Sequence, residues 1–250
     1  MAYPLMELLG QIISLMFFNI PVMKKIKMLT VICYASLLSC NQATKDKTSD
    51  TTNDKKDTIT GETTTHMADM KNSSCELRTN MRKLWEDHVT WTRNVILCIM
   101  DGLPGTDQAL NRLMKNQDDI GNAIKPVYGD EAGNQLTALL RVHISTAGDL
   151  LKAAKSGNDP AFQDADKKWT ANADEISAFL SKANPDNWGL ENMKKMMHDH
   201  LKLTTEEAVA RKSKDYDGDV KAYDKVHDEI LEMADMLTDG ILKQHPEKFQ

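Results

Sequence analysis

Asn192-Met-Lys-Lys-Met-Met-His-Asp-His-Leu-Lys-Leu-Thr204 is the stretch that decides how this chain folds. Met193, Met196, Met197, His200 and Thr204 recur at i, i+3/i+4 and i+7, the spacing that puts side chains on one face of an α-helix. An amphipathic helix over about 190–212 therefore carries an imidazole in the middle of its buried stripe. The pattern repeats elsewhere: His88, His143 and His227 each interrupt an apolar stripe near a helix midpoint.

Working outward, a helix over 77–101 has the stripe Leu77, Met81, Leu84, His88, Trp91, Val95 and Cys98, and Gly102, Pro104 and Gly105 end it. A second, over 107–125, uses Leu110, Leu113, Gln117, Ile120 and Ile124, and Pro126 stops it. A third, over 131–156, shows Leu136, Leu139, Leu140, His143, Ala147, Leu150 and Ala154, with Gly157 as its C-terminal cap. The fourth starts near Pro160 and carries Phe162, Trp169, Asn172, Ile176, Phe179 and Leu180 before Asn184-Pro185. The opening stretch is the fifth. The sixth, over 217–243, has Val220, Tyr223, His227, Ile230, Ala234, Leu237 and Ile241.

No strand-like alternation of useful length occurs. Aromatics are 6% of the 250 residues, Gly and Pro are sparse and Met is abundant at 15, which suits helices better than a sandwich or barrel. The expectation is an all-α domain over 75–250, an antiparallel bundle of about six helices. Leu84-Trp85-Glu86-Asp87-His88 echoes Lys168-Trp169-Thr170-Ala171-Asn172, and Arg141-Val142-His143 echoes Lys225-Val226-His227. A duplicated three-helix unit would produce both pairs. The net charge of −6, with no basic patch interleaved with aromatics, gives no reason to expect nucleic-acid binding.

The N-terminus reads as an address. Met23-Lys-Lys-Ile-Lys27 is a basic region, Met28 to Leu38 an apolar core, and Ser39-Cys40 a small residue before cysteine. Leu37-Leu38-Ser39-Cys40 resembles the lipobox of bacterial lipoproteins, which implies cleavage by signal peptidase II over a signal peptide at 23–39 and lipidation of Cys40. The partner so implied is the membrane, reached through that lipid, in the cell envelope. Residues 1–22 are mostly apolar with Glu7 the lone charge; they fit a start at Met23 with a spurious upstream extension better than a membrane hairpin. Residues 40–74, rich in Thr, Lys, Asp and Ser, read as a disordered tether that includes His66. Of the remaining cysteines, Cys98 on an apolar face reads as a free thiol rather than a bridge to Cys75.

A buried neutral imidazole needs partners for its ring nitrogens, and for one such histidine a backbone carbonyl or a serine suffices. Four near helix centres would meet at one level of an antiparallel bundle. Carboxylates lie at comparable heights: Asp118 and Asp119 on the second helix, Glu175 on the fourth. Imidazole and carboxylate converging from several helices is how bundles hold zinc, iron or manganese. The expected ligand set is His88, Asp119, His143, Glu175, His200 and His227, with Asn172, Thr146 or Thr204 orienting the rings.

Local metal motifs are missing: no Glu-x-x-His, His-Glu-x-x-His or Cys-x-x-Cys. His198 and His200 point about 200° apart on a helix and cannot share one ion. Asp215-x-Asp217-x-Asp219 begins like a calcium loop, but Val220 and Val226 stand where Gly and Glu are needed, so it reads as a solvated turn capping the sixth helix. Thioethers suit Cu(I), yet the stripe spacing of Met193, Met196 and Met197 favours packing. Arg93 reads as a surface ion pair rather than an anion site. The competing reading is a non-enzymatic envelope module whose histidines are simply hydrogen-bonded in the core; no reaction is named by the residues.

Trp85-x-x-His88-x-x-Trp91-Thr92-Arg93, Asn172-Ala-Asp-Glu-Ile176 and Met233-Ala-Asp-Met-Leu237 resemble elements of an uncharacterised family of helical bacterial proteins over most of 77–250. That resemblance implies an all-helical domain and no particular activity.

Overall fold

The computed structural model describes residues 61–249, and every regular element in that range is helical. The spurious-extension reading of 1–22, the signal peptide, Cys40 and the tether as far as residue 60 lie outside the described residues. Five helices follow one another: α1 (Gly61–Asp101), α2 (Thr106–Ser156), α3 (Asp159–Ala183), α4 (Leu190–Lys212) and α5 (Tyr216–Gln244), then a 3₁₀ turn at Pro246–Phe249. Neighbours in sequence pack together and α5 packs on α1, so the helices close a ring.

Five helices stand where the sequence suggests about six, because 107–125 and 131–156 are two arms of α2 joined across a break. Pro126 lacks an amide donor, and Gly129 adopts φ 87°, ψ 167°, outside helical space and accessible mainly to glycine. The arms then run back along each other. Arg141 pairs with Asp118 at 3.1 Å, and a Cβ on Gly121 would sit 2.6 Å from the Gly133 carbonyl oxygen. Only paired glycines permit that approach.

Helix α1 begins earlier than expected: residues 61–74, read as tether, are helical. The segment has no proline, and extending an existing helix costs far less than nucleating one. Ser73 Oγ also donates to the Phe249 carbonyl at 3.0 Å. Other termini follow local chemistry. Asn158 caps α3 through Ala161 N, Asp215 caps α5 through Gly218 N at 3.0 Å, and Gly157 ends α2 at φ 69°. Asp215 thus serves as the cap its sequence suggests, whereas Asp219 in the same turn is buried rather than solvated.

Two apolar clusters fill the ring. The larger holds Trp85, Ile120, Leu136, Ile176, Met193, Ile230 and Ile241 among others; the smaller holds Val95, Ile96, Leu113, Ile144 and Leu151. Where they meet, the buried side chains turn polar: His88, Asn116, Gln117, His143, Asn172, His200, Thr204 and Glu207. Among the described residues no helix is long and apolar enough to cross a membrane. Cys75 and Cys98 are free, the first exposed and the second half-buried.

The start of α5 is rotated from its expected face. Asp219, Ala222 and Val226 are buried, one residue out of step with Val220, Tyr223 and His227, and Val220 is 52% exposed. The cause is a buried charge. Asp219 accepts from Arg93 at 2.9 and 3.2 Å and from Arg211 at 3.1 Å, and two guanidiniums make its burial tolerable.

Candidate functional site

His88 on α1, His143 on the second arm of α2 and His200 on α4 are each at least 96% buried, and all three line one cavity of about 30 Å³. The His88 and His200 ring centroids are 5.9 Å apart. Apolar walls come from Ile144, Ala147, Leu150, Leu151 and Ala208, with Trp169, Thr92, Thr204 and Thr205 completing the lining. A water needs about 10–15 Å³, so the space holds a water or a single ion.

Each ring is oriented by a side chain lying 29 positions further along the chain. Gln117 Nε2 donates to His88 Nδ1 at 3.3 Å, His143 Nδ1 donates to Asn172 Oδ1 at 3.0 Å, and His200 Nδ1 donates to Glu229 Oε2 at 2.9 Å. The interval is the same because each pair sits at one height of a helical hairpin: α1 with the first arm of α2, the second arm with α3, and α4 with α5.

Tautomers follow from these partners. Gln117 Nε2 also bonds the Leu113 carbonyl at 2.8 Å, which fixes the amide as donor and makes His88 Nδ1 the acceptor. Asn172 Nδ2 bonds the Leu139 carbonyl at 3.2 Å, so its oxygen faces His143 and the proton sits on His143 Nδ1. His143 Nε2 accepts from Trp169 Nε1 at 3.1 Å, which occupies both ring nitrogens. Burial, with the charges of neighbouring histidines second, pushes His88 and His143 down to about 3, so both are neutral near pH 7.

Six buried side-chain polar atoms among the described residues lack a partner, and three belong to this layer: Gln117 Oε1, Thr204 Oγ1 and Glu229 Oε1. Each such group costs about 1–3 kcal/mol if left unbonded, and Thr204 lines the cavity, where a bound water or ion can reach it.

A charged network lies one turn beyond Thr204. Glu207, 1% exposed, meets Arg93 at 2.6 Å; Arg93 and Arg211 share Asp219, and Arg211 continues to Asp101. Arg93 also lies 4.6 Å over the Tyr223 ring. Burial lifts the Glu207 carboxyl to about 7, opposed by Arg93. Arg93 thus belongs to a largely buried network instead of the surface pair read from sequence.

Of the six residues expected to converge, the structure brings together His88, His143 and His200. Asp119 pairs with Lys115 one turn away at the surface. Glu175 is exposed and lines a separate outer groove with Tyr128 and Phe179. His227 faces Glu86 at 3.2 Å, with its side chain 30% exposed, because the rotation of α5 carries it off the buried face. His198 is exposed as expected and meets Asp174 at 3.0 Å. The carboxylates near the rings are Glu229 and Glu207. Glu207 lies at i+7 from His200 and could have been found by extending the stripe one turn past Thr204; Glu229 had no local signal beyond the shared interval.

Among the described residues no three His, Cys, Asp or Glu side chains stand in ready-made metal-ligand geometry. Three imidazoles face an ion-sized cavity, with His143 Nε2 bonded to the Trp169 N–H and His88, accepting at Nδ1, carrying its proton on Nε2. No protein-family model, curated protein or solved structure matches the chain.

Proposed function

We propose that this is an exported helical-bundle protein, lipid-anchored to the cell envelope through Cys40, that binds one transition-metal ion (Zn, Fe or Mn) at His88, His143 and His200. The observation that carries the reading is the meeting of three rings from three hairpins at one cavity, each held at Nδ1 by a dedicated partner. Orientation through the far nitrogen is how metal-binding imidazoles are usually restrained, and His200 with Glu229 has the carboxylate–histidine form of that arrangement. Loading requires His143 Nε2 to exchange the Trp169 N–H for the ion. Neutral rings at pH 7 suit coordination. His88, however, accepts from Gln117 at Nδ1 and so carries its proton on Nε2; it must shift that proton to Nδ1, with the Gln117 amide turned over, before it can ligate.

Metal analysis of the purified full chain tests this. Stoichiometric metal that is lost in His143→Ala and His200→Ala supports the reading; a metal-free chain of undiminished stability contradicts it. The anchor is tested separately, because Cys40→Ser abolishes incorporation of labelled fatty acid if Cys40 carries the lipid.

One observation favours the second reading, an envelope interaction module with hydrogen-bonded core histidines. His143 is already satisfied at both nitrogens by Asn172 and Trp169. Under that reading the same alanine variants lose stability and change no metal content.

A further inference from the structure

A groove of about 390 Å³ between α4 and α5 is lined by four methionines, Met193, Met196, Met233 and Met236, together with Asp199, Glu229 and Glu232. The cross-links Arg211–Asp219, Lys225–Glu206 and His200–Glu229 fix the antiparallel register of the two helices. Continued past His200, that register sets Met196 opposite Met233 on the next turn and Met193 opposite Met236 on the one after. Met193 and Met233 are 1% and 2% exposed and form the floor; Met196 and Met236 are half-buried. Lys195 is the one basic lining residue, and its charge is taken by Asp199 at 2.5 Å.

We propose that this groove is a second metal site, one that binds a soft monovalent cation, Cu(I) in nature, through the thioethers of Met196 and Met236 with Met193 and Met233 behind them. Thioethers select Cu(I) over harder divalent ions, and Glu229 and Glu232 supply the negative potential that draws a cation in. Packing alone explains the two floor methionines. The two half-buried ones also pack against the core and in addition line the acidic groove, where a thioether can serve a soft cation and an alkyl side chain could not. The site stands on different residues from the histidine cavity, although Glu229 lines the groove and also holds His200.

Ag(I), a redox-inert stand-in, is titrated in chloride-free buffer into the purified full chain with its cysteine thiols alkylated beforehand, since free Cys75 and Cys98 would outcompete thioethers. Met196→Leu, Met236→Leu and their double variant conserve volume, so the fold is retained. Circular dichroism checks this, and Met100→Leu on α1 serves as control. The expected result is a loss of Ag(I) affinity of about tenfold or more in the double variant, with a smaller loss in each single variant and none in the control. Affinity within about twofold of wild type in the double variant overturns the proposal. So does Ag(I) binding that is lost in His200→Ala and kept in the methionine variants. If Zn(II) fails to bind while Ag(I) binding still depends on Met196 and Met236, the histidine reading fails and the groove stands.

Discussion

His143 shows how tightly one residue can be specified. Its proton is placed by Asn172, its lone pair is taken by Trp169, and burial holds it neutral. Trp169→Phe keeps the apolar volume and removes the indole N–H. It should cost about 1 kcal/mol in chemical denaturation. It should also tighten metal binding, because the ion no longer competes with a donor for Nε2.

The titrating groups make a signed pH claim. His88 and His143 have folded values near 3, well below the ordinary 6.5, so the unfolded chain binds more protons between those limits and stability falls as pH drops through that window. Glu207 is displaced the other way, from 4.5 to about 7; the folded chain binds the extra proton there, and stability rises as pH falls from 7 to 4.5. Between pH 4.5 and 6.5 two histidines oppose one carboxyl. Glu207→Gln removes the opposing group, so the acid-side slope of stability against pH should steepen by about 1.4 kcal/mol per pH unit relative to wild type. Urea melts at several pH values check this, and an unchanged slope contradicts it.

At the scale of the element, α2 is decided by its glycines. Gly121→Ala would drive a Cβ to 1.9 Å from Thr137 Oγ1 and 2.6 Å from the Gly133 oxygen, so about 1–3 kcal/mol of stability should be lost, as measured by thermal melting. Gly148→Ala, whose Cβ meets nothing within 4 Å, is the matched control. Most of this level was legible beforehand. Pro126 marks the break, Gly157 and Pro160 mark the turn into α3, and the stripes of 107–125 and 131–156 fall on the arms. The phase of α5 was not legible. Hydrophobic periodicity assigns Val220 inward, and only the arrival of Arg93 from α1 and Arg211 from α4 allows Asp219 to take that place. The start of α1 was missed for a related reason: 61–74 has too little apolar surface to order itself, and it becomes helical as the continuation of a segment that does pack.

For the whole molecule, six helical segments act as three hairpins, each giving one imidazole and its partner to a shared layer between two apolar clusters. The histidines at the centre were readable, because a polar residue on a buried stripe is visible in one helix at a time. Their carboxylate neighbours were not, since Asp119, Glu175 and Glu229 all lie near helix midpoints and only the packing angle separates surface from site. The two echoes that suggest duplication land differently: Trp85 and Trp169 are both buried, whereas His143 is buried and His227 reaches the surface.

The most direct measurement is a spectroscopic Co(II) titration of the full chain against five variants. The visible band of an imidazole-ligated ion should appear at one equivalent, vanish in His88→Ala, His143→Ala and His200→Ala, and persist in His198→Ala and His227→Ala. A chain that gives no band, or a band indifferent to those first three substitutions, contradicts the account.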